Sequence, residues 1–323
     1  LAGTTGIGHT RWATHGAPTT ANAHPHKAGR VAIVHNGIIE NYLDLRDEIA
    51  ANGTRTDTET DTEVVAHLVN IEQEKGKSPQ EAVATVLPRL KGAFALAFLF
   101  EGEEDLLIGA RKGSPLAVGH GEGEMYLGSD AIALSPFTDR VTYLEEGDWA
   151  VITRNSVKVF DHDNNEVERP VSRSTVTAVP MDKGNYRHFM AKEIHEQPEV
   201  IGHTLSRYMD LAAKQANVQG IEAADFANLN RLVITACGTA FYAGLVAKYW
   251  FEKYARLPVE IDIASEFRYR ETPINKGDFA LFISQSGETA DTLASLRYCR
   301  AHGAVIGAVV NVPESTIARE SDV

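Results

Sequence analysis

Apolar positions along this chain follow one rhythm in its first half and another in its last third. Short apolar runs at 30–34, 37–39, 93–100, 106–110, 115–118, 125–127, Trp149–Ile152 and Val157–Phe160 are separated by glycines and acidic clusters, which predicts strands of packed sheets. The first two runs are split by Asn36-Gly37, a turn-prone pair. Two stretches break the strand pattern. Residues 62–74 carry Val64, Val65, Leu68 and Val69 at helical spacing on one face. Ser78 and Pro79 have the types of an N-cap and a first helical residue, opening a second helix to about residue 90. Strands in blocks with a helix pair predict an α+β layered domain over residues 1–160.

Residues 161–185 are polar, contain Pro170 and Pro180 and show no period, so they are expected to be a linker. A helical segment follows at 186–208, where Gln197-Pro198 should restart or kink the helix. Together these make a connecting region, 161–225. Beyond it the rhythm alternates. Strands are expected at 231–236, Val259–Ile263, 279–283 and 304–310, and helices at 240–254 and 289–302. Such alternation predicts a parallel, three-layer α/β sheet over 226–323, with Ser321-Asp322-Val323 heading toward a further strand.

Composition adds mainly exclusions. The 323 residues suffice for two cores, and a net charge of −13 argues against a nucleic-acid partner. No run of 18 apolar residues suggests a membrane span. Two cysteines, Cys237 and Cys299, do not make a disulfide scaffold, and a reducing, cytoplasmic setting is the expectation.

Candidate chemistry gathers in two places. The stretch His9-Thr-Arg-Trp-Ala-Thr-His-Gly16, followed by His35-Asn36-Gly37, supplies a fixed cation, an indole, hydroxyls, imidazoles and a carboxamide beside a glycine. Arg11 suits a carboxylate clamp, because a guanidinium is a permanent bidentate donor; a surface ion pair is the plainer reading. Asn36 and Gly37 form either a hairpin turn or a pair of N–H donors for an oxyanion. Asp61, ahead of a helix, is an N-cap or an anchor for an ammonium group. His24-Pro-His26 lacks the companions of a zinc site, since neither paired cysteines nor a helical His-x-x-x-His accompany it. In the last third, Ser284-Gln285-Ser286-Gly287-Glu288-Thr289 runs from a strand into a helix, and Cys237-Gly238-Thr239 occupies the equivalent end of another strand. Two hydroxyl- and glycine-rich loops at one sheet edge favour an anion such as a sugar phosphate; helix capping is the plainer reading. Cys237 itself reads as a nucleophile or as a buried thiol.

These motifs carry a resemblance. His9 to Gly16, Asn22-Ala-His-Pro-His26, His35-Asn-Gly-Ile-Ile-Glu-Asn41 and Glu59-Thr-Asp-Thr-Glu63 resemble the class II (N-terminal nucleophile) glutamine amidotransferase domain. Tyr186-Arg-His-Phe-Met-Ala-Lys-Glu-Ile-His-Glu-Gln-Pro198, Ala236-Cys-Gly-Thr239, Ala264-Ser-Glu-Phe-Arg-Tyr-Arg270 and the 284–289 loop resemble the linker and first sugar-isomerase (SIS) domain of the amino-sugar-forming glutamine–fructose-6-phosphate aminotransferases. The resemblance implies a layered α/β sandwich followed by a SIS-type α/β domain, both incomplete. It implies Arg11 on the α-carboxylate of glutamine, Asp61 on its amino group, and Thr14 and His15 lining that pocket. Asn36 and Gly37 become the oxyanion hole, and Trp12 the gate through which ammonia passes. Cys237, Gly238, Thr239, Ser284, Gln285, Ser286 and Thr289 hold fructose 6-phosphate. The implied reaction needs no metal or organic cofactor, and the family is a homodimer when full length. The family's N-terminal cysteine nucleophile and second SIS domain are not in this sequence, so the expectation is a fragment, inactive alone. A non-catalytic phosphosugar-binding or regulatory module is the alternative.

Overall fold

The computed structural model describes residues 3–11, 13–51, 53–174, 183–210, 213–216, 218 and 225–323. They fall into two compact units, Leu1–Thr177 and Ala178–Val323.

In the first unit the strands are β1 (His26–Ala28), β2 (Val31–Ile39), β3 (Gly92–Phe100), β4 (Leu107–Lys112), β5 (Ala117–His120), β6 (Met125–Gly128), β7 (Arg140–Tyr143), β8 (Trp149–Ile152), β9 (Val157–Phe160), β10 (Glu166–Val167) and β11 (Ser172–Arg173). They build a seven-stranded sheet in the order β1-β2-β3-β4-β8-β9-β10 and a four-stranded sheet in the order β11-β7-β5-β6. Helices α1 (Tyr42–Ala51), α2 (Thr62–Glu74) and α3 (Pro79–Val86) pack with the larger sheet in one core that includes Ile33, Ile39, Val65, Val69, Leu96 and Phe98. A second core joins the two sheets through Ala95, Leu116, Val118, Leu144 and Ile152. A third, with Ala117, Leu134 and Val141, lies under α4 (Ala131–Leu134). The result is the layered α/β sandwich that the resemblance implied. Strand β3 is apolar at nearly every position because both of its faces are covered. At α3 the Ser78 hydroxyl accepts from the Glu81 N–H while the Glu81 carboxylate accepts from the Ser78 N–H, a full capping box.

Two expectations need correction here. Asn36-Gly37 is no hairpin turn: β2 runs unbroken through it, with Asn36 opposite Ala95 and Gly37 opposite Phe94. Residues 161–174 are not linker, because β10 pairs with β9 and β11 with β7. Arg169 fastens that segment by a two-pronged bond to the buried Asp148, at 2.8 and 3.0 Å. Its run of polar residues hides strands that pair at sheet edges and bury little. Strand β7 and helix α4 also escaped the periodicity; each is four residues long.

The second unit begins its described part with α5 (Phe189–Tyr208), one helix that contains Pro198 rather than restarting there. A proline forfeits one backbone bond, and the turns on either side continue. A two-residue ladder follows, β12 (Met209–Asp210) with β13 (Gln215–Ala216). The α/β part comprises β14 (Leu232–Ala236), α6 (Gly238–Trp250), β15 (Val259–Ile263), α7 (Ala264–Arg270), β16 (Phe279–Ser284), α8 (Ala290–Ala301), β17 (Val305–Val310) and α9 (Thr316–Arg319). Its four strands are parallel in the order β15-β14-β16-β17, as expected. One core contains Phe267, Phe282, Leu293, Leu296 and Ile306, and a smaller one Leu232, Ile234, Val259 and Phe279. Asp322 and Val323 lie against β17, where the Ala308 N–H donates to the Val323 carbonyl at 3.0 Å.

Candidate functional site

Strand β2 and the loop into α2 hold the first cluster. Asp61 precedes α2 but does not cap it with its side chain. Its carboxylate is almost fully buried, and Oδ2 accepts the backbone N–H of Ile39 at 2.8 Å. The same oxygen lies 3.9 Å from His15 Nδ1 and 3.8 Å from His35 Nδ1. The capping reading therefore fails. The carboxylate instead lies buried within 4 Å of two imidazole nitrogens.

The loop is preorganised from both sides. Glu63, in the first turn of α2, accepts the N–H groups of Asp57 and Thr58 at 2.8 and 2.7 Å and the Thr58 hydroxyl at 2.7 Å. Burial pushes the Glu63 carboxyl up, but those bonds and one with His67 outweigh it and hold the group below its usual range. On the other side, Asn22 takes the Glu59 N–H at 3.1 Å and donates to the Glu59 carboxylate at 3.2 Å and to the Ala17 carbonyl at 3.0 Å. The loop at 15–17 is thereby tied to the loop that carries Asp61.

Arg11 sits in the left-handed region, φ 51°, with its backbone N–H donating to His9 Nδ1 at 2.9 Å. Its guanidinium donates to the carbonyls of His15, Gly16 and Ala17 at 2.8, 3.2 and 3.1 Å. It makes no ion pair with any described carboxylate, which removes the surface-salt-bridge reading. Three of its five N–H groups are used in this way among the described residues, which leaves two directions for a ligand. Thr14 is exposed beside it. Trp12, the expected gate, lies outside the described residues.

Asn36 is exposed and contributes to the wall of a cavity of about 1030 Å³ that Val34, Ala97, Leu116, Met125 and Leu127 also line. Gly37 has φ 136°, and a Cβ there would stand 2.1 Å from the Ala93 carbonyl oxygen. Only glycine fits that approach of β3 to β2. Two histidines near Asp61, His24 and His35, are driven toward the neutral form. Burial first, then neighbouring His26, His9 and His35 and the Arg11 guanidinium, lower His24 to about 3. Burial lowers His35 to about 4, with Asp61 opposing and His9, His15 and His26 adding. Among the described residues no group of three or more His, Cys, Asp or Glu is arranged to hold a metal ion.

In the second unit, β14 and β16 are adjacent, and Ala236 is in register with Ile283. The carboxyl end of β14 passes through Cys237 straight into α6, so Gly238 and Thr239 are the first helical residues rather than a turn, and beside it Ser284 ends β16 and leads into the 285–289 loop. The chain leaves β14 for β15 on one flank and returns to β16 on the other, so both strand ends stand at a topological switch point, where α/β sheets take ligands. Ser284 Oγ accepts the Gly287 N–H at 3.0 Å and lies 3.1 Å from Thr289 Oγ1; Ser286 Oγ accepts the Glu288 N–H at 3.2 Å. Thr289 makes no side-chain cap on α8, nor Cys237 on α6. Gly287 has φ 67°, and a Cβ there would collide with Ser315 Oγ at 1.9 Å. The free thiol of Cys237 is half-buried, whereas burial pushes the Cys299 thiol up to about 12.

Sequence reasoning missed Thr62, Glu63, Asn22 and Glu59 as supports of this site. The alternation of threonines and acids from 57 to 63 was the available signal, since such residues bond to loop backbone.

A layered α/β sandwich followed by a parallel α/β unit with two adjacent hydroxyl-rich strand ends defines a two-part class, and the comparisons agree. Residues 9–136 match the family model described as a glutamine amidotransferase domain, and residues 225–323 the one described as a SIS domain. Over 322 residues the chain is 64% identical to the glutamine–fructose-6-phosphate aminotransferase [isomerizing] of Bradyrhizobium diazoefficiens, covering 100% of this chain and 53% of that protein. Identity to the protein of the same name from Brucella suis is 66%, with the same coverage. The chain is similar to these aminotransferases over its whole length and spans about half the length of the curated relatives it matches. Among solved structures, the C-terminal domain of glucosamine-fructose-6-phosphate aminotransferase from Francisella tularensis matches at 42% identity, covering 44% of this chain and 39% of that one, with a TM-score of 0.41. Glutamine phosphoribosylpyrophosphate amidotransferase from B. subtilis matches at 17% identity over 94% of this chain and 67% of that one, with a TM-score of 0.43. TM-scores this low add nothing to the strand order described above.

Proposed function

We propose that the chain is the glutamine-handling and first sugar-binding part of an enzyme that converts L-glutamine and D-fructose 6-phosphate to L-glutamate and D-glucosamine 6-phosphate, as the relatives' name suggests. Arg11 takes the α-carboxylate of glutamine through its remaining N–H groups, and Asp61 takes the α-ammonium, with Thr14 and His15 completing the pocket. Asn36 and Gly37 donate to the oxyanion that forms when the side-chain amide is attacked. Trp12 gates the ammonia that is released. At the switch point, Ser284, Gln285, Ser286 and Thr289, with Cys237, Gly238 and Thr239, hold the sugar phosphate against the start of α8. The reaction calls for no metal or organic cofactor: glutamine supplies the nitrogen and the sugar its carbonyl. The setting is cytoplasmic; no described helix is long and apolar enough to cross a membrane.

What supports this reading most is a buried carboxylate, Asp61, held among imidazoles with the Arg11 loop tied to its own loop, in a chain whose other unit pairs two hydroxyl-rich strand ends. A homodimer fits one more feature. Helix α6 exposes Tyr242, Val246, Tyr249 and Trp250 along one stripe, between 49% and 65% accessible, a surface that suits a second copy.

Calorimetry tests both sites. L-glutamate should bind, and Arg11→Ala should weaken it at least about tenfold, the worth of one charged hydrogen bond. Fructose 6-phosphate should bind independently and be lost in Ser286→Ala/Thr289→Ala. Equal affinities in the native and substituted chains would refute the corresponding site.

A further inference from the structure

The Thr62 hydroxyl, on the first residue of α2, touches three groups at once. It lies 3.1 Å from His24 Nε2, 3.0 Å from His35 Nδ1 and 3.5 Å from Asp61 Oδ1, on which it can act as donor. A hydroxyl has one proton and two lone pairs. Both imidazoles are neutral at pH 7, so each brings a single N–H. The carboxylate brings none. Three protons must therefore serve three contacts.

One assignment makes all three contacts into hydrogen bonds. His24 Nε2–H and His35 Nδ1–H donate into the two lone pairs of Thr62, and the Thr62 O–H points to Asp61. Any other assignment places a proton on His24 Nδ1 or His35 Nε2. Both of those atoms are buried and have no partner among the described residues. A buried N–H without an acceptor is rare and costly, whereas a bare ring lone pair costs less.

We propose that Thr62 is the positioning residue of the amino-acid site: its hydroxyl fixes His24 and His35 in opposite tautomers and aims the Asp61 carboxylate. The Ile39 N–H holds one carboxylate oxygen and Thr62 the other, so Asp61 is gripped from β2 and from α2 together. A ligand ammonium then meets a carboxylate that has no orientation left to lose. This inference rests on the reading that Asp61 receives the amino group, but the tautomers do not.

The experiment is long-range proton–nitrogen correlation NMR on the whole chain labelled with 15N-histidine, at pH 7, with His24→Gln and His35→Gln assigning the signals. The expected spectrum has His24 protonated at Nε2 and His35 at Nδ1. His35 protonated at Nε2 in the unsubstituted chain overturns the proposal without any Thr62 variant. Thr62→Val keeps the shape and removes the hydroxyl. It should release the His35 tautomer and weaken L-glutamate binding about tenfold, while Thr62→Ser preserves both. Unchanged tautomers and affinity in Thr62→Val would also overturn it. Absence of any L-glutamate binding to the unsubstituted chain defeats the amino-acid reading of the site, and the spectrum still decides the role of Thr62.

Discussion

Substituting Gly37 by alanine puts the proposed oxyanion hole under direct load. Strands β2 and β3 pair along nine positions, from Val31 opposite Phe100 to Ile39 opposite Gly92. At Gly37 a Cβ would stand 2.1 Å from the Ala93 carbonyl oxygen, 2.8 Å from the Phe94 Cα and 2.9 Å from the Ala93 carbonyl carbon. All three are backbone atoms, so no side chain can swing away. Relief requires the ladder itself to part, which costs about 1–3 kcal/mol as overpacking does elsewhere. Holding a residue with a Cβ at φ 136° adds about 1–3 kcal/mol. The sum, about 2–6 kcal/mol, is a large share of the roughly 5–15 kcal/mol that stabilises a domain. Gly76→Ala is the matched control: its φ is 93° and nothing lies within 4 Å of the added carbon, so only the backbone part applies. Hydrogen exchange read by mass spectrometry on peptides covering 31–39 and 92–100 gives the opening free energy of this ladder without treating the two units as one transition. Gly37→Ala should lower it by several kcal/mol and abolish L-glutamate binding. A loss no larger than that in Gly76→Ala would refute the reasoning.

The other predictions concern the frame around the site. The Glu63 carboxyl is held below its ordinary 4.5, so the stability it contributes is full above pH 4.5 and drains away as pH falls through the lower folded value. Thermal melts of Glu63→Gln should accordingly be less stable at neutral pH and show a shallower acid decline; a parallel decline would contradict the assignment. Arg169→Ala strands the buried Asp148 carboxylate and should cost the first unit about 3 kcal/mol, measured as a drop in its calorimetric transition. No drop would mean that the segment after residue 160 is independent of that unit.

Legibility in the sequence followed burial and length. Long, doubly covered or strongly periodic elements such as β3, α2 and the four parallel strands declared themselves, because their apolar positions have one place to go. Strands β10 and β11, two residues each with mostly exposed side chains, left no hydrophobic trace, and α7 buries only Ala264 and Phe267. Asn36-Gly37 misled through its local turn preference. The pairing of nine residues with β3 overrides that preference, and the glycine serves close strand approach instead. Motifs identified Arg11, Asp61 and the two hydroxyl-rich strand ends, but the groups that frame Asp61 come from distant parts of the sequence. Asn22 meets Glu59 across 37 residues and His24 meets Thr62 across 38, contacts that no local pattern encodes.

The decisive measurement is a double-mutant cycle on L-glutamate affinity with Arg11→Ala, Asp61→Asn and both together. If the guanidinium and the carboxylate grip opposite ends of one amino acid, each single change weakens binding sharply and the double change costs clearly less than the two combined. Wild-type affinity in either single variant would contradict the claim that these two groups share a ligand.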